Sequence, residues 1–490
     1  MNARNGWVNL EDESFRSGRD CYLQSRHQKD QQVTARGLQL KSEIEKFYMN
    51  PASVIQSTTA MASQKLTELE EARNMEETWI LIDMDMFYAQ IELREKPELK
   101  LKPLAIVHQN MITSANYVAR GFGVKSGIPL YQGKLKCKEL ICLPSNMDKY
   151  KEVAMEVRTV FYEFDEKFET KGLDEAYLLV TPVLNRRRMN TDEGREVLAK
   201  EIREKVFAKT GLTSSAGISC NKLLAKICSQ VNKPNGQYYL APNASEIRRF
   251  MLGRKVRDIP GVGKILEKLL NFIGILYCKH ILDDICKVYV CFPTATCTML
   301  YNAALGIGTN DHSERLEDQR SFSACKTIPA TSDPHALEAL VRGFCDQVAL
   351  EMKRKQAQCR TVGVFLKSQF FEDTSRCETL QQFITSAEDV WRVALKVLRQ
   401  LYPLQPVRTI GVRVSYLCYL ETKTPPGQLK QTQLVPTAPT ATPVRVKRRK
   451  LPTGEEDLFW SLMSHSILPN RKLAPEALLS KHTCPVCGQE

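Results

Sequence analysis

The sequence contains no run of 18 or more apolar residues, the length a membrane-spanning helix needs, so no such span is expected. Its first residues, Met1 to Asp20, lack an apolar core after a basic start, so they do not read as a secretory signal. Glu11, Asp12 and Glu13 in that stretch also argue against a mitochondrial transit peptide. No internal repeat is present, which removes the repeat architectures. A disulfide framework is missing too. The 16 cysteines are scattered, with Cys220, Cys228 and Cys345 standing singly in hydrophobic segments, as buried reduced thiols of an intracellular protein do. Acidic charge is in the minority: 69 Lys and Arg against 56 Asp and Glu leave a net +13. That excess points to a polyanionic partner, either nucleic acid or an anionic membrane surface. What remains is ordinary globular composition, 43% apolar and 26% charged, in a chain of 490 residues. That is too long for one core, so several domains are expected.

The texture changes along the chain. Residues 1–76 are polar and helical in pattern, with Pro51 breaking the stretch 39–77 into one or two helices. They are too poor in apolar residues to form their own core and must pack on something else. Trp79, Ile80, Leu81 and Ile82 form a continuous apolar run, the pattern of a strand buried on both faces. Further strands are expected at residues 104–107, 176–180 and 213–218, and helices at 87–94, 149–164 and 194–209. A small helical region runs from Asp258 to about residue 318. Beyond it, strand, helix, two strands, helix and strand follow at 320–328, 334–356, 360–369, 377–384, 387–401 and 407–417. This β-α-β-β-α-β order is a split βαβ unit. The fold class is therefore a multidomain α/β (α+β) protein. Residues 423–443, rich in Pro, Thr and Gln, read as a flexible linker.

Asp83 closes the apolar strand, where a charge is costly unless it lies at the strand's mouth beside a cation. Asp174 and Glu175 head another apolar strand. If the two strands are neighbours, three carboxylates meet at one sheet edge and repel each other unless divalent cations neutralise them. Oxygen ligands select Mg²⁺, or Mn²⁺ as an alternative, over zinc. Two such ions roughly 4 Å apart stabilise the attacking and leaving oxygens of a displacement at phosphorus. Taken singly, an acid at a strand end is more often a solvated loop residue. Strand alternation alone nominates Asp85 together with Asp83.

The surrounding residues resemble the three signatures of the Y-family DNA polymerases, in the family's order and over residues 77 to 420. The first is Asp83-Met84-Asp85-Met86-Phe87-Tyr88-Ala89-Gln90-Ile91-Glu92. The second is Leu173-Asp174-Glu175-Ala176-Tyr177. The third is Asn221-Lys222-Leu223-Leu224-Ala225-Lys226, followed by Asn232-Lys233-Pro234-Asn235-Gly236-Gln237. The Lys-Pro-Asn-Gly-Gln stretch and the helical N-terminal extension look most like the kappa branch.

The resemblance implies a right-hand polymerase. Residues 77–255 are then palm with small fingers (about 104–148), 256–318 a helix-hairpin-helix thumb, and 319–420 a little finger. Residues 1–76 sit where the kappa branch has its helical N-clasp, and 421–490 form a flexible basic tail. Asp83, Asp174 and Glu175 match the catalytic metal ligands, with the backbone carbonyl of Met84 as a further one and Asp85 as a structural acid. Tyr88 matches the steric gate under the nucleotide sugar, with Phe87 beside it. Tyr117 and Arg120, three residues apart and so on one helical face, match the pair that contacts the triphosphate. A guanidinium suits that task because its fork bonds two oxygens. Lys233 matches the lysine that offsets charge on the leaving pyrophosphate. Gly121 follows Arg120 where the kappa branch has a second basic residue. Lys222 and Lys226 read as solvated or near the DNA backbone, and not as catalytic.

Gly261, Gly263 and Lys264 belong to a Pro-Gly-x-Gly turn that opens a helix. There, backbone amides would bind a DNA phosphate. Lys326, Arg360, Lys367 and Arg408 lie on or beside the little-finger strands and would hold phosphates.

The resemblance thus implies a template-directed, low-fidelity polymerase that adds dNTPs to a primer 3′-OH opposite damaged template. Two Mg²⁺ ions would serve as cofactors, primer-template DNA and dNTPs as partners, and a sliding clamp as a further one. The chain is read as a monomer without membrane contact, located in the nucleus with the mitochondrion as the alternative. No separate acidic nuclease-like domain is seen, so no proofreading is expected. A two-metal nuclease would use the same acids but has no need of Tyr88, Tyr117, Arg120 or Lys233. A decayed scaffold would not need all three acids. In the tail, Val444 to Lys450 form a basic cluster that reads as a nuclear address or a solvated charge run. Asp457, Leu458, Phe459 and Trp460, with Leu462 and Met463, form a short amphipathic stretch that reads as a partner peptide such as a clamp-binding element. Cys484 and Cys487 form half of a zinc site, and no intact finger is expected.

Overall fold

A computed structural model of the chain describes residues 13–311, 320–402 and 404–419. The tail features at 444–450, 457–463 and 484–487 lie outside them. Strands β1 (Trp79–Met84), β2 (Leu104–His108), β3 (Met111–Ala115), β4 (Ile141–Pro144), β5 (Glu169–Lys171) and β6 (Glu175–Leu179) come first. They are followed by β7 (Ser214–Ser219), β8 (Gln237–Tyr239), β9 (Ser321–Thr331), β10 (Ala357–Ser368), β11 (Asp373–Ile384) and β12 (Val407–Tyr419). They form three sheets, ordered β5-β6-β1-β7-β8, β3-β2-β4 and β11-β10-β12-β9. No helix among the described residues is long and apolar enough to cross a membrane.

β1 is buried at all six positions, as its unbroken apolar run requires, because both faces of the sheet are covered. Ile80 and Ile82 join one core with Val153 and Val157 of the helix Met147–Phe161 and Leu198 and Ile202 of the helix Asp192–Thr210. Trp79 and Leu81 point to the other face, with Tyr177 of β6 and Ala225 of the helix Lys222–Cys228. By the two-residue period of a strand, Asp83 shares that second face. The second sheet keeps a smaller core around Ala105, Ile112, Ala115 and Leu140.

The helix Lys222–Cys228 lies on β7 at Gly217. A Cβ there would stand 2.0 Å from the Ala225 carbonyl oxygen and 2.3 Å from the Ser229 nitrogen. Both are backbone atoms that cannot step aside. Gly217→Ala is therefore expected to cost about 3 kcal/mol through overpacking. It should also push the helix, with Lys226, off the sheet. Calorimetric melting and primer extension on the same variant read the two effects, and an unchanged melting temperature would show that the helix rides freely.

The helical region has its own core, which includes Leu270, Ile281, Val288 and Leu300. It begins before the turn at Asp258, because Leu224, Ile247 and Met251 belong to it as well. The helix Lys222–Cys228 serves two cores, presenting Ala225 to the sheet and Leu224 to the helices. The N-terminal extension supplies helices Glu13–Tyr48 and Ala52–Glu71, separated at Pro51. Leu40 and Ile44 of the first are buried in the helical core. Gly37 lets that helix approach Phe272 closely: a Cβ would lie 2.3 Å from the ring. The last sheet, backed by helices Pro334–Arg354 and Ala387–Arg399, has the β-α-β-β-α-β order read from the sequence.

Candidate active site

β1 is flanked by antiparallel β6 and β7, and the register pairs Asp83 with Glu175. The Met84 amide donates to the Asp174 carbonyl at 2.9 Å. This neighbouring brings the three acids to one sheet end, where all three line a cavity of about 470 Å³. After β1, Met86 takes a left-handed conformation with φ 41°, a state that costs a non-glycine residue about 1 kcal/mol. The chain turns there into the helix Phe87–Glu95, and Phe87 and Tyr88 line the same cavity. Gln90 secures the turn by donating to the Asp85 carbonyl at 2.6 Å.

Asp83 is only 5% exposed. It accepts from Lys233 at 2.5 Å on one oxygen, and from Lys226 at 3.1 Å and Gln230 at 3.0 Å on the other. Lys226 also donates to Glu175. Burial works against the charge on Asp83, yet the Lys233 and Lys226 ammoniums hold its carboxyl below the usual range. Asp174 goes the other way: burial first, then the charges of Asp83 and Glu175, push it up to about 6. Two lysines thus do not fully neutralise the cluster.

That imbalance and the oxygen-only donor set fit a hard divalent cation. Among the described residues no three acid, histidine or cysteine side chains form a ready-made cage. Mg²⁺ does not require one, since it keeps waters and is shared between one or two carboxylates and substrate phosphates.

The two aspartates of the first signature have different surroundings. Asp85 is 1% exposed and accepts from Ser215 at 2.7 Å, Thr213 at 2.9 Å and the Asn235 amide at 2.8 Å. It is consumed by the scaffold.

Tyr88 stacks on Tyr150, with centroids 4.4 Å apart and planes 11° from parallel. The Tyr150 hydroxyl donates to the buried Glu92 at 3.0 Å. Asn116 caps the helix Tyr117–Gly121, accepting from the Ala119 amide at 2.9 Å. Arg120 lines the cavity and lies over the Tyr117 ring at 4.9 Å. The Tyr117 hydroxyl is turned to Asp85 at 3.4 Å.

Lys226 is the residue the sequence reading missed. Instead of solvent it meets Asp83 and Glu175, and burial is outweighed by those two charges, which raise its ammonium's pKa. Lys222 is also occupied, by Glu169 and by the Trp79 ring at 4.5 Å. No helical period marks Lys226: Gln230 and Lys233, which meet the same Asp83 carboxylate, lie beyond the end of the helix Lys222–Cys228. Gly261, Gly263 and Lys264 stand apart from the cavity, at the start of the helix Lys264–Phe272. Gly261 has φ +98°, whereas Gly263 has an ordinary φ of −79° and open space around it.

The impB/mucB/samB family matches residues 82–230, and its C-terminal domain matches residues 319–434. DNA polymerase IV of Xanthomonas euvesicatoria is 32% identical over 362 residues, covering 71% of this chain and 96% of that protein. The chain belongs to the Y-family of DNA polymerases. Among other Y-family relatives, DNA polymerase kappa of Arabidopsis thaliana is 35% identical over 356 residues, covering 72% of this chain and 52% of its own length. The Homo sapiens kappa protein is 30% identical over 425 residues, with 71% and 49% covered. The chain thus spans about half the length of these kappa relatives. A solved Y-family polymerase chimera of Dbh and Dpo4 superposes with TM-score 0.62 at 25% identity, covering 70% of this chain and all of that one. An insertion ternary complex of Dbh polymerase gives 0.51 at 25% identity with the same coverage. The mixed α/β fold is that of the Y-family.

Proposed function

We propose that this protein is a template-directed DNA polymerase of the low-fidelity, lesion-bypass kind, without proofreading. The convergence of Asp83, Asp174 and Glu175 in one cavity with Tyr88, Arg120 and Lys233 carries the reading. Asp83, Asp174, Glu175 and the Met84 carbonyl would hold two Mg²⁺ ions, which when bound would supply charge neutralisation at phosphorus and a lowered pKa for the primer hydroxyl. Arg120 grips triphosphate oxygens with its planar fork, and Tyr117 braces Arg120 through its ring. Lys233 turns from Asp83 to the departing pyrophosphate as negative charge grows there. The Tyr88 ring lies beneath the sugar and excludes a 2′-hydroxyl. Residues 77–255 act as palm and fingers and 256–318 as thumb, whose Gly261–Lys264 turn holds a DNA phosphate. Residues 319–420 act as the little finger, gripping the duplex through phosphates and so in a salt-dependent way. Kinship with the kappa proteins favours the nucleus over the mitochondrion; the protein acts as a monomer that meets a sliding clamp.

Incubation with a labelled primer-template, dNTPs and Mg²⁺ tests this. The expected product is a primer lengthened up to and past a template adduct, with EDTA abolishing all extension. Shortened primer would make the protein a nuclease, and unchanged primer under all divalent ions would leave a binding scaffold.

A further inference from the structure

Two residues that line the cavity, Lys233 and Arg120, share one anchorage. Arg203, on the helix Asp192–Thr210, spends its guanidinium on the loop that carries Lys233. One NH₂ group donates to the Asn235 side chain at 2.6 Å, the other to the Gln237 side chain at 3.1 Å, and Nε to the Ser214 carbonyl at 2.9 Å. From the opposite side, buried Asp85 accepts the Asn235 amide at 2.8 Å. The loop is tight within itself: Asn232 donates to the Gln237 carbonyl at 2.7 Å, and a Cβ on Gly236 would stand 2.0 Å from the Asn232 carbonyl oxygen. Such a loop moves as one body, so whatever fixes Asn235 and Gln237 fixes Lys233. The other oxygen of Asp85 receives the Tyr117 hydroxyl at 3.4 Å, and the Tyr117 ring carries Arg120.

We propose that Arg203 and Asp85 form a clamp that positions Lys233, and through Tyr117 also Arg120, for the triphosphate of the incoming nucleotide. Neither clamp residue lines the cavity; both are positioning residues. The inference rests on the polymerase reading and adds to it what sets nucleotide affinity. A bidentate planar fork is needed on the Arg203 side, because a lysine offers one point charge where two side-chain acceptors wait. Displacing a charge by an ångström in such a site costs up to about a hundredfold, and loosening it costs less.

The test is a cycle of Arg203→Met, Lys233→Met and the double variant, read as KM and kcat for one dNTP. Arg203→Met is expected to raise KM about tenfold with kcat within about twofold. In the Lys233→Met background the same change should raise KM less than about twofold, since its target is gone. A full tenfold effect in both backgrounds, or no effect on KM in either, overturns the clamp. If Lys233→Met itself leaves KM unchanged, the triphosphate role of Lys233 falls, and the clamp falls with it. Should Arg203→Met fail to fold, Asn235→Gly removes one of its three contacts at an exposed position whose φ of 50° suits glycine and carries the same cycle.

Discussion

Asp174→Ala is expected to lower primer extension by at least about a thousandfold, the scale of losing charge stabilisation at the reacting phosphorus. DNA affinity should stay within about threefold, because phosphate contacts spread over other parts of the chain supply it. Asp174 is a cleaner site for this test than Asp83. Asp83 is bonded to Lys226, Lys233 and Gln230, so removing it leaves two half-buried ammoniums facing each other, and loss of activity would be confounded with loss of structure. Asp174 has the opposite balance. Burial, Asp83 and Glu175 push its carboxyl up to about 6. A folded-state pKa above the ordinary 3.8 favours folding where the group is protonated and opposes it once the group ionises. At neutral pH alanine therefore removes a repulsion, and the variant should melt no lower than the parent in EDTA. Extension by the variant at the parent's rate would remove Asp174 from the reaction, whatever its melting temperature.

The parts of this site that sequence made legible are those whose surroundings are local. The apolar run ending in Asp83 could only be a buried strand, and a carboxylate at its end needed a cationic environment; the lysines of the third signature provide it. Pro51 marks the break between the two N-terminal helices for a reason internal to proline. The β-α-β-β-α-β order was readable because each element there is long enough to show its period. Strands of three to five residues such as β3, β4, β5 and β8 carry too little pattern, and their pairing partners decide them. Lys226 was misjudged for a related reason. A lysine on a short helix faces solvent or site according to which side of the helix meets the sheet. That side is chosen by Gly217, on β7, whose missing Cβ admits the helix backbone. Nothing within the helix records this choice. Likewise nothing in the residues around Tyr117 records that its hydroxyl turns to Asp85.

Tyr88→Ala is expected to relax the preference for dNTPs over rNTPs by roughly a hundredfold, the scale on which a site built against one hydroxyl discriminates. The selection is steric, so it requires a ring that cannot swing aside. Here the ring is backed by Tyr150 at 4.4 Å and near-parallel, and Tyr150 is tied in turn to Glu92, which also meets Lys149 at 3.2 Å. Phe87, its neighbour, is 3% exposed and packs in the sheet's core, so Phe87→Ala should lower stability without a comparable change in sugar preference. Tyr88→Phe keeps the ring and should keep the selectivity. Single-nucleotide insertion of dCTP and CTP opposite template G, measured for the three variants, separates these outcomes. If Tyr88→Ala still rejects CTP as the parent does, the 2′-hydroxyl meets some other group, and the stacked pair of tyrosines serves only to hold the helix Phe87–Glu95 against its neighbours.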